Sequence, residues 1–271
     1  MRPVVPSAAP LTARFVVNAL AALVLGFLVL PMLAVIPAAF NQSSFITLPP
    51  TRLSWRWYEA FFADSEWMTS LANSIKVGSL ATAISLVLGT SAALGLQRLG
   101  GRARLMLTGL ILAPMVVPVI VTAIALYRSI IDIKMTGSLA AMAVGHALLA
   151  LPLVVINVGV PLRALDPNWH LAAAGLGAGP WTIFRTITLP NIIPGIAAGA
   201  VFAAMTSFDE VVISVFLAGY QTKTLPVKMW ETIRIEFTPV VAVAATLLLL
   251  LAVVLFLVVH LFTPRVAGAS R

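Results

Sequence analysis

The chain has 271 residues, of which 61% are hydrophobic and only 10% are charged. Soluble domains carry about 25% charged residues, so this composition excludes a soluble globular protein. The absence of cysteine excludes disulfides, zinc–thiolate sites and cysteine nucleophiles. The net charge of +8 comes from basic residues scattered singly between apolar runs. A nucleic-acid-binding face would cluster them, so we expect no nucleic-acid partner.

Six apolar stretches are each long enough to cross a lipid bilayer, which takes about 20 helical residues. In lipid only helices or closed barrels satisfy the backbone, and the alternating pattern of barrel strands is absent. The sequence therefore predicts an all-α membrane protein with six transmembrane helices. The predicted spans are 15–40, 71–96, 105–127, 139–160, 192–218 and 240–262.

The predicted spans define the domain organisation. We predict a cytoplasmic N-terminal tail over 1–14, a six-helix membrane domain over 15–262 and a cytoplasmic C-terminal tail over 263–271. A cytoplasmic loop over 161–190 interrupts the membrane domain. The first apolar run is longer than the 7–15-residue core of a signal peptide, which favours a retained helix.

The distribution of basic residues favours cytoplasmic termini, in the positive-inside sense. Nine basic residues then lie inside and seven outside. The inside set is Arg2, Arg14, Arg98, Arg102, Arg104, Arg163, Arg185, Arg265 and Arg271, and the outside set is Arg52, Arg56, Arg128, Lys134, Lys223, Lys228 and Arg234. In the outer segment that follows the first span, Trp55, Trp57 and Trp67 are typical of residues that anchor a protein at the membrane interface. The alternative interpretation is a short surface helix near 55–62 that contacts a soluble partner.

A glycine-punctuated polar segment, HLAAAGLGAGPWTIFRTITLP, occupies residues 170–190. Its spacing resembles the cytoplasmic "EAA" loop of ABC-importer permeases, Glu-Ala-Ala-x3-Gly-x9-Ile-x-Leu-Pro. In that family the loop docks onto a separate ATPase subunit, so the resemblance implies the same role here. The aligned positions are Leu171, Ala172, Ala173, Gly177, Ile187, Leu189 and Pro190, and Leu171 stands where the family has Glu.

The residues of this loop also predict a helix–turn–helix. Asp166 is suited to cap a helix, and Pro167 is tolerated in its first turn. A glycine-rich turn follows, then a second amphipathic helix over 181–188, which Leu189 and Pro190 are predicted to end before the fifth span. The turn contains Gly175, Gly177 and Gly179.

Further segments resemble the polyamine-type branch of the ABC permeases, and the resemblance covers most of residues 54–250. It implies a type I ABC-importer (MetI-like) permease fold in the bacterial inner membrane. It also implies transport of a small cationic solute, such as spermidine or putrescine, without catalysis by this chain. The resembling segments are 54–58, 71–74, 205–212, 223–230 and 237–239.

The same resemblance implies the partners of the chain. These are a cytoplasmic ATPase dimer that binds ATP and Mg²⁺, a second, different permease subunit, and a periplasmic solute-binding protein. In this chain no lysine follows a glycine, so it has no Walker A sequence and we expect no cofactor. His146, His170 and His260 lack metal-ligand spacing, so we expect no metal site.

Asp209 and Glu210 lie within the fifth predicted span, toward its outer side. A carboxylate inside a membrane costs about 2.5 kcal/mol or more and by default marks a pathway or a partnered site. Adjacent helical residues point about 100° apart, so we expect only one of the two to face a pathway. The alternative is a structural role, with either carboxylate bonded to Lys76 or to neighbouring backbone.

The predicted substrate pathway combines this pair with its neighbours and with an aromatic–acidic pair farther along the chain. An aromatic ring beside a carboxylate can hold an amine by cation–π and ionic contact, although Trp230 is also typical of an interfacial anchor. The predicted pathway residues are Ser207, Phe208, Asp209, Glu210, Trp230 and Glu231.

Other functions stay open on the sequence alone. The solute of an ABC permease can instead be an aminophosphonate, an opine or an amino acid derivative. An ion-coupled secondary transporter is a second alternative, but the chain shows no inverted repeat. A membrane enzyme would need a catalytic motif such as Gly-x-Ser-x-Gly or His-Glu-x-x-His, and neither is present.

Overall fold

The computed structural model describes residues 11–50, 52–236 and 238–262. Within these ranges, only the backbone is described for residues 11–13 and 260–262. Apart from an isolated bridge between Asn41 and Leu53, the regular structure in these ranges is helical. The α-helices are α1 (Leu11–Ala39), α2 (Arg56–Ala63), α3 (Ser65–Gln97), α4 (Gly101–Leu112), α5 (Val119–Asp132), α6 (Leu139–Ala164), α7 (Pro167–Gly175), α8 (Pro180–Ile183), α9 (Leu189–Asp209), α10 (Val212–Leu217), α11 (Leu225–Ile235) and α12 (Pro239–Phe262).

The described helices include five that are long and apolar enough to cross a membrane, and a bent pair that can form a sixth span. The predicted count of six therefore holds when the bent pair is one span. The predicted C-terminal tail, 263–271, lies outside the described residues, as do residues 1–10 of the predicted N-terminal tail. The five spans are Arg14–Ala39, Ser65–Gln97, Leu139–Ala164, Pro180–Asp209 and Pro239–Val259.

The third predicted span is not the single helix expected over 105–127. Gly101–Met115 and Val119–Asp132 meet at an angle of 96°. Pro114 lies in a 3₁₀ turn and Pro118 caps α5. Proline lacks an amide N–H and its ring clashes with the preceding turn, so two prolines four residues apart bend the chain here.

The chain divides into two compact units, the first being Met1–Phe61 with Phe237–Thr246. Within it, the Phe40 ring lies 4.9 Å from the ring centroids of both Trp55 and Tyr58. The Trp57 indole N–H donates to the Ser43 carbonyl oxygen at 3.1 Å. Trp57 is 8% exposed, so its predicted role as an interfacial anchor is wrong, whereas Trp55 is exposed. The short helix weighed as the alternative is present as α2.

The second unit is Phe62–Glu236 with Leu247–Arg271, and α3, α6 and α9 pack together at its centre. Trp67, at the start of α3, is also buried and is therefore not an anchor. Gly195 and Gly199 form a Gly-x-x-x-Gly motif on the face of α9 that contacts α6. Small residues at this spacing let two membrane helices approach closely.

Gly195 allows the closest of these approaches. A β-carbon there would lie 2.6 Å from the Asn157 carbonyl oxygen and 2.8 Å from the Pro161 ring. Neither neighbour is the flexible end of a side chain, so the helices would have to separate. The position of α9 against α6 therefore depends on the missing side chain.

Gly195→Ala should destabilise the second unit by about 1–3 kcal/mol, the usual cost of overpacking. The measurement is thermal unfolding of the detergent-solubilised protein. Gly109→Ala is the matched control, because a β-carbon at Gly109 in α4 meets nothing within 4 Å. Equal stability of the two variants would contradict the close contact between α6 and α9.

Candidate functional site

The fifth predicted span, 192–218, is interrupted at its carboxylate pair. Helix α9 ends at Asp209, Glu210 is extended with φ −80° and ψ 107°, and α10 begins at Val212. The expectation that Asp209 and Glu210 project about 100° apart from one continuous helix is therefore wrong. The two carboxylates lie on either side of a helix end, in different surroundings.

Glu210 is buried, with 8% of its surface exposed. Its carboxylate oxygen accepts the Ile213 backbone N–H at 2.8 Å. That N–H belongs to the first turn of α10, where backbone donors lack helical partners. Glu210 therefore caps α10, which is the structural role weighed as the alternative, with backbone as the partner. Lys76, the other partner considered, is exposed and forms no ion pair with either carboxylate in the part of the chain described.

Asp209 differs from Glu210 both in burial and in hydrogen bonding. Its side chain is exposed, and no hydrogen bond or ion pair links it to another residue of the described ranges. A negative charge with neither partner is free to interact with a mobile cation. Of the predicted carboxylate pair, Asp209 is thus the accessible member.

Ser207 and Phe208 are both engaged in packing. Ser207 is buried, and its hydroxyl lies 2.7 Å from His146 Nδ1. The Phe208 ring fills the space beside Gly78 of α3, where a β-carbon would lie 2.9 Å from the ring. The structure therefore joins these two residues to α6 and α3 and leaves Asp209 as the exposed group of the segment 207–210.

Trp230 and Glu231, on α11, already contact cations of the chain itself. Lys223 Nζ lies 2.7 Å from a Glu231 carboxylate oxygen. The Arg234 guanidinium lies 5.2 Å from the centre of the Trp230 ring. These residues line a shallow cleft of 280 Å³. Trp230 and Glu231 therefore each contact a cation of the chain, and the two cations are different residues.

The loop between α10 and α11, residues 218–224, is fastened to α3. Asn73 Nδ2 donates to the Gln221 and Lys223 carbonyl oxygens at 2.9 and 3.0 Å. Ser74 Oγ accepts the Leu225 N–H at 2.7 Å. The sequence alone does not identify the partners of these contacts, since they lie about 150 residues apart. They fix the position of Lys223 and of the start of α11.

The predicted helix–turn–helix is present in the loop 161–190. The Asp166 carboxylate accepts the Asn168 N–H at 2.9 Å, and Pro167 occupies the first turn of α7. Gly177 has a φ of +84°, in the left-handed region that favours glycine. A turn at Gly177 therefore reverses the chain between α7 and α8.

The predicted end of the second helix at Leu189 and Pro190 is wrong, because the helix continues from Pro180 to Asp209. A π-helical turn over Phe184–Thr188 precedes them, and the Leu189 N–H donates to the Phe184 carbonyl oxygen. The wider turn leaves carbonyl groups for side chains: Asn191 Nδ2 donates to the Ile187 carbonyl oxygen at 2.7 Å. Proline in the first turn of α9 is compatible with this geometry.

The inner side of the loop 161–190 is held in place by half-buried apolar residues and by a part-buried hydrogen bond. Ile183, Phe184 and Ile187 are half-buried, as expected for an amphipathic helix. His170 Nε2 lies 3.0 Å from Thr188 Oγ1. This contact links α7 to the π-helical turn.

The outer side of the loop exposes apolar groups. Ala172 and Gly177 are exposed, and so are the larger apolar residues Trp169, Leu171, Leu176 and Trp181. Exposed apolar groups of this size are typical of protein-interaction surfaces.

Comparison with known proteins gives a family match over residues 85–268, to the family described as "Binding-protein-dependent transport system inner membrane component". The chain is 26% identical to the spermidine/putrescine transport system permease protein PotC of Haemophilus influenzae, over 93% of this chain and 97% of the relative. It is 30% identical to the putrescine transport system permease protein PotI of Escherichia coli, over 82% of each. It is 31% identical to the molybdenum transport system permease protein ModB of Mycobacterium bovis, over 75% of this chain and 82% of the relative.

Solved structures share the fold. A bacterial ABC transporter involved in the import of the acidic polysaccharide alginate matches with a TM-score of 0.72 at 14% identity, over 95% of this chain and 96% of that chain. The MetNI methionine ABC transporter, in an inward-facing conformation, matches with a TM-score of 0.59 at 17% identity, over 76% and 95%. The predicted ABC-importer permease fold is therefore confirmed.

Glu210→Ala should lower the stability of the protein by about 1 kcal/mol, the typical cost of losing a helix cap. Asp209→Ala should leave stability unchanged, because Asp209 caps nothing. Thermal unfolding of the solubilised protein measures both. Glu210→Gln is the control, since its amide oxygen can still accept the Ile213 N–H. Equal losses in the Asp209 and Glu210 alanine variants would contradict the assigned cap.

Proposed function

This chain belongs to the family of binding-protein-dependent transport system inner membrane components, and on that premise we propose that it carries a small polyamine-type cation. It is the permease subunit of an ABC importer and a component of the inner membrane. Family membership argues against the ion-coupled secondary transporter and the membrane enzyme. The remaining choice concerns the solute and the residues that handle it.

The accessible carboxylate of Asp209 is the observation that carries the proposal. Asp209 is exposed at the end of α9, beside an interruption of a membrane helix. Non-helical backbone at membrane depth is tolerated where it lines a water-filled cavity or is buried in protein. A negative charge at such a place favours a cation, and a flexible diamine can meet it with one ammonium group at a time.

The names of two relatives support the same solute class. PotC and PotI are named for spermidine/putrescine and putrescine transport, and both align with most of this chain. The ModB relative, named for molybdenum transport, shows that similar chains serve a different solute. Aminophosphonates, opines and amino acid derivatives remain the other candidates, and Asp209 favours those with an ammonium group.

The proposed mechanism places ATP chemistry in other subunits. ABC permeases work with ATPase subunits, and we propose that an ATPase dimer holds ATP and Mg²⁺ and grips the loop 161–190 from the cytoplasm. The exposed Leu171 and Trp181 would supply apolar contact in place of the usual family Glu. Closure of the dimer would then move the loop and α9 as one body, since the helix is continuous from Pro180 to Asp209.

We also assign the remaining partners and the orientation. A second, different permease subunit completes the pathway around Asp209, and a periplasmic solute-binding protein delivers the solute. Both termini face the cytoplasm, which places the loop 161–190 within reach of the ATPase. Ala173, Ile187 and Leu189 are half-buried and would support this docking loop from within, while Pro190 lies in the first turn of α9.

Asp209→Asn should lower uptake of a polyamine roughly tenfold, because removing one charge near a bound ammonium costs about 1 kcal/mol or more in a partly desolvated site. Uptake of radiolabelled putrescine, normalised to the assembled complex in vesicles, is the measurement. Asp209→Glu keeps the charge and should keep most of the uptake. Glu210→Gln should have a clearly smaller effect than Asp209→Asn.

Competition identifies the solute class in the same vesicles. Unlabelled spermidine should displace putrescine, whereas molybdate and an aminophosphonate should not. Normal uptake in Asp209→Asn would remove the carboxylate from the pathway. Displacement by molybdate alone would overturn the polyamine assignment.

Gly177→Val should reduce ATPase co-purification about tenfold without preventing membrane insertion. A side chain in the left-handed region costs about 1–2 kcal/mol, so the turn that sets α7 against α8 would change. A β-carbon at Gly177 meets no other atom of this chain within 4 Å, so within the chain the substitution acts through backbone conformation.

Two variants control the Gly177 experiment. Gly177→Asn should retain more ATPase, because asparagine tolerates a positive φ. Gly175→Ala, two residues earlier and equally open, should bind ATPase normally because its φ is not positive. Full ATPase binding and transport by Gly177→Val would refute the assignment of this loop.

A further inference from the structure

One buried histidine bridges both sides of the interruption in the fifth span. His146, in α6, is fully buried. Its Nδ1 lies 2.7 Å from the hydroxyl of Ser207 in α9, and its Nε2 lies 2.9 Å from the hydroxyl of Ser214 in α10. Ser207 is two residues before Asp209, and Ser214 follows the break. A single imidazole ring thus connects α6 to the helix on each side of the break.

The hydrogen-bonding chemistry of this clasp, defined as His146 with Ser207 and Ser214, is complete. A neutral imidazole has one donor and one acceptor nitrogen, and each serine hydroxyl can donate or accept. Both ring nitrogens are therefore satisfied in either tautomer. A buried histidine without these bonds would be costly, and an apolar residue would fill the same volume at no such cost.

Close packing holds the clasp at a fixed place. A β-carbon on Gly145 would lie 2.9 Å from the Ile213 side chain and 3.2 Å from Leu126, so α6 closely approaches α10 and α5. The Ser85 hydroxyl of α3 donates to the Ala147 carbonyl oxygen at 3.2 Å. The segment of α6 that carries His146 is therefore anchored on more than one side.

The Glu210 cap does not connect α9 to α10 as the clasp does. Its carboxylate bonds to Ile213, in the turn that directly follows it, and so orders the start of α10 alone. The clasp reaches both α9 and α10 from a third helix. It therefore restrains the direction in which the end of α9 projects.

We propose that His146 is a positioning residue that holds α9 and α10 across the break and thereby keeps Asp209 in its exposed position. The consequence for transport rests on the proposed function, whereas the consequence for the position of Asp209 does not. Loss of the clasp lets the end of α9 reorient and changes the access of solvent and solute to residue 209.

The chain contains no cysteine, which allows a direct test by thiol labelling. A single Asp209→Cys substitution is introduced, and the purified complex is treated with a charged methanethiosulfonate reagent. The rate at which the introduced cysteine reacts is followed by the gel shift of this chain. His146→Ala should change that rate about three- to tenfold, the factor expected from losing one or two hydrogen bonds. Ile235→Cys, an exposed position at the end of α11, is the control and should react at the same rate with and without His146.

Variants that remove only one of the two hydrogen bonds of the clasp keep the test informative if His146→Ala fails to fold. Ser207→Ala removes the link to α9 and Ser214→Ala the link to α10, and each should change the labelling rate less than His146→Ala. If His146→Ala does not assemble, these two variants decide. Unchanged labelling of residue 209 in folded clasp variants would overturn the proposal.

Transport assays on the same variants separate this inference from the proposed function. Putrescine uptake in His146→Ala should show a raised KM, and this effect should disappear when His146→Ala is combined with Asp209→Asn. Altered labelling together with normal uptake in Asp209→Asn supports the clasp and overturns the cation pathway. Additive transport losses from His146→Ala and Asp209→Asn would show that His146 does not act through Asp209.

Discussion

Backbone groups inside a membrane must find hydrogen-bond partners within the protein, because lipid offers none. Where its fifth predicted span is interrupted, the chain meets this constraint with a nearby polar side chain. Glu210 accepts the Ile213 N–H where α10 begins. At the π-helical turn of the loop 161–190, before this span, Asn191 and Thr186 likewise donate to carbonyl oxygens one turn earlier. The polar residues of this span are therefore engaged with backbone or with His146, and Asp209 stands out because it is engaged with neither.

Close helix packing is what brings the clasp within hydrogen-bond distance. Gly195 and Gly199 allow α9 to lie directly against the backbone of α6, and Gly145 does the same for α10. A larger side chain at Gly195 or Gly199 would press on α6, and a hydrogen bond tolerates little lengthening. These glycines therefore act on the clasp through the distance between the helices.

Patterns with a local cause were predictable from the sequence. Length and hydropathy predicted the spans, and the glycine cluster indicated a turn, which Gly177 makes with a positive φ. Non-local choices were not predictable. Whether Glu210 faces a pathway or caps α10 depends on a break that apolar periodicity does not show. The burial of Trp57 and Trp67 depends on tertiary packing, and propensity alone cannot distinguish it from anchoring at an interface.

Charge pairing around α11 bears on where solute selection occurs. Lys223 pairs with Glu231, and Lys228 pairs with Glu66, so these two carboxylates are already neutralised. A solute cation would have to displace a tethered lysine to bind there, and a tethered group competes at high effective concentration. Asp209 has no such competitor among the described residues. Selection of the solute by its charge is therefore expected at Asp209, at the end of α9, and not at α11. The lysines near α11 would keep cations from binding there before they reach Asp209.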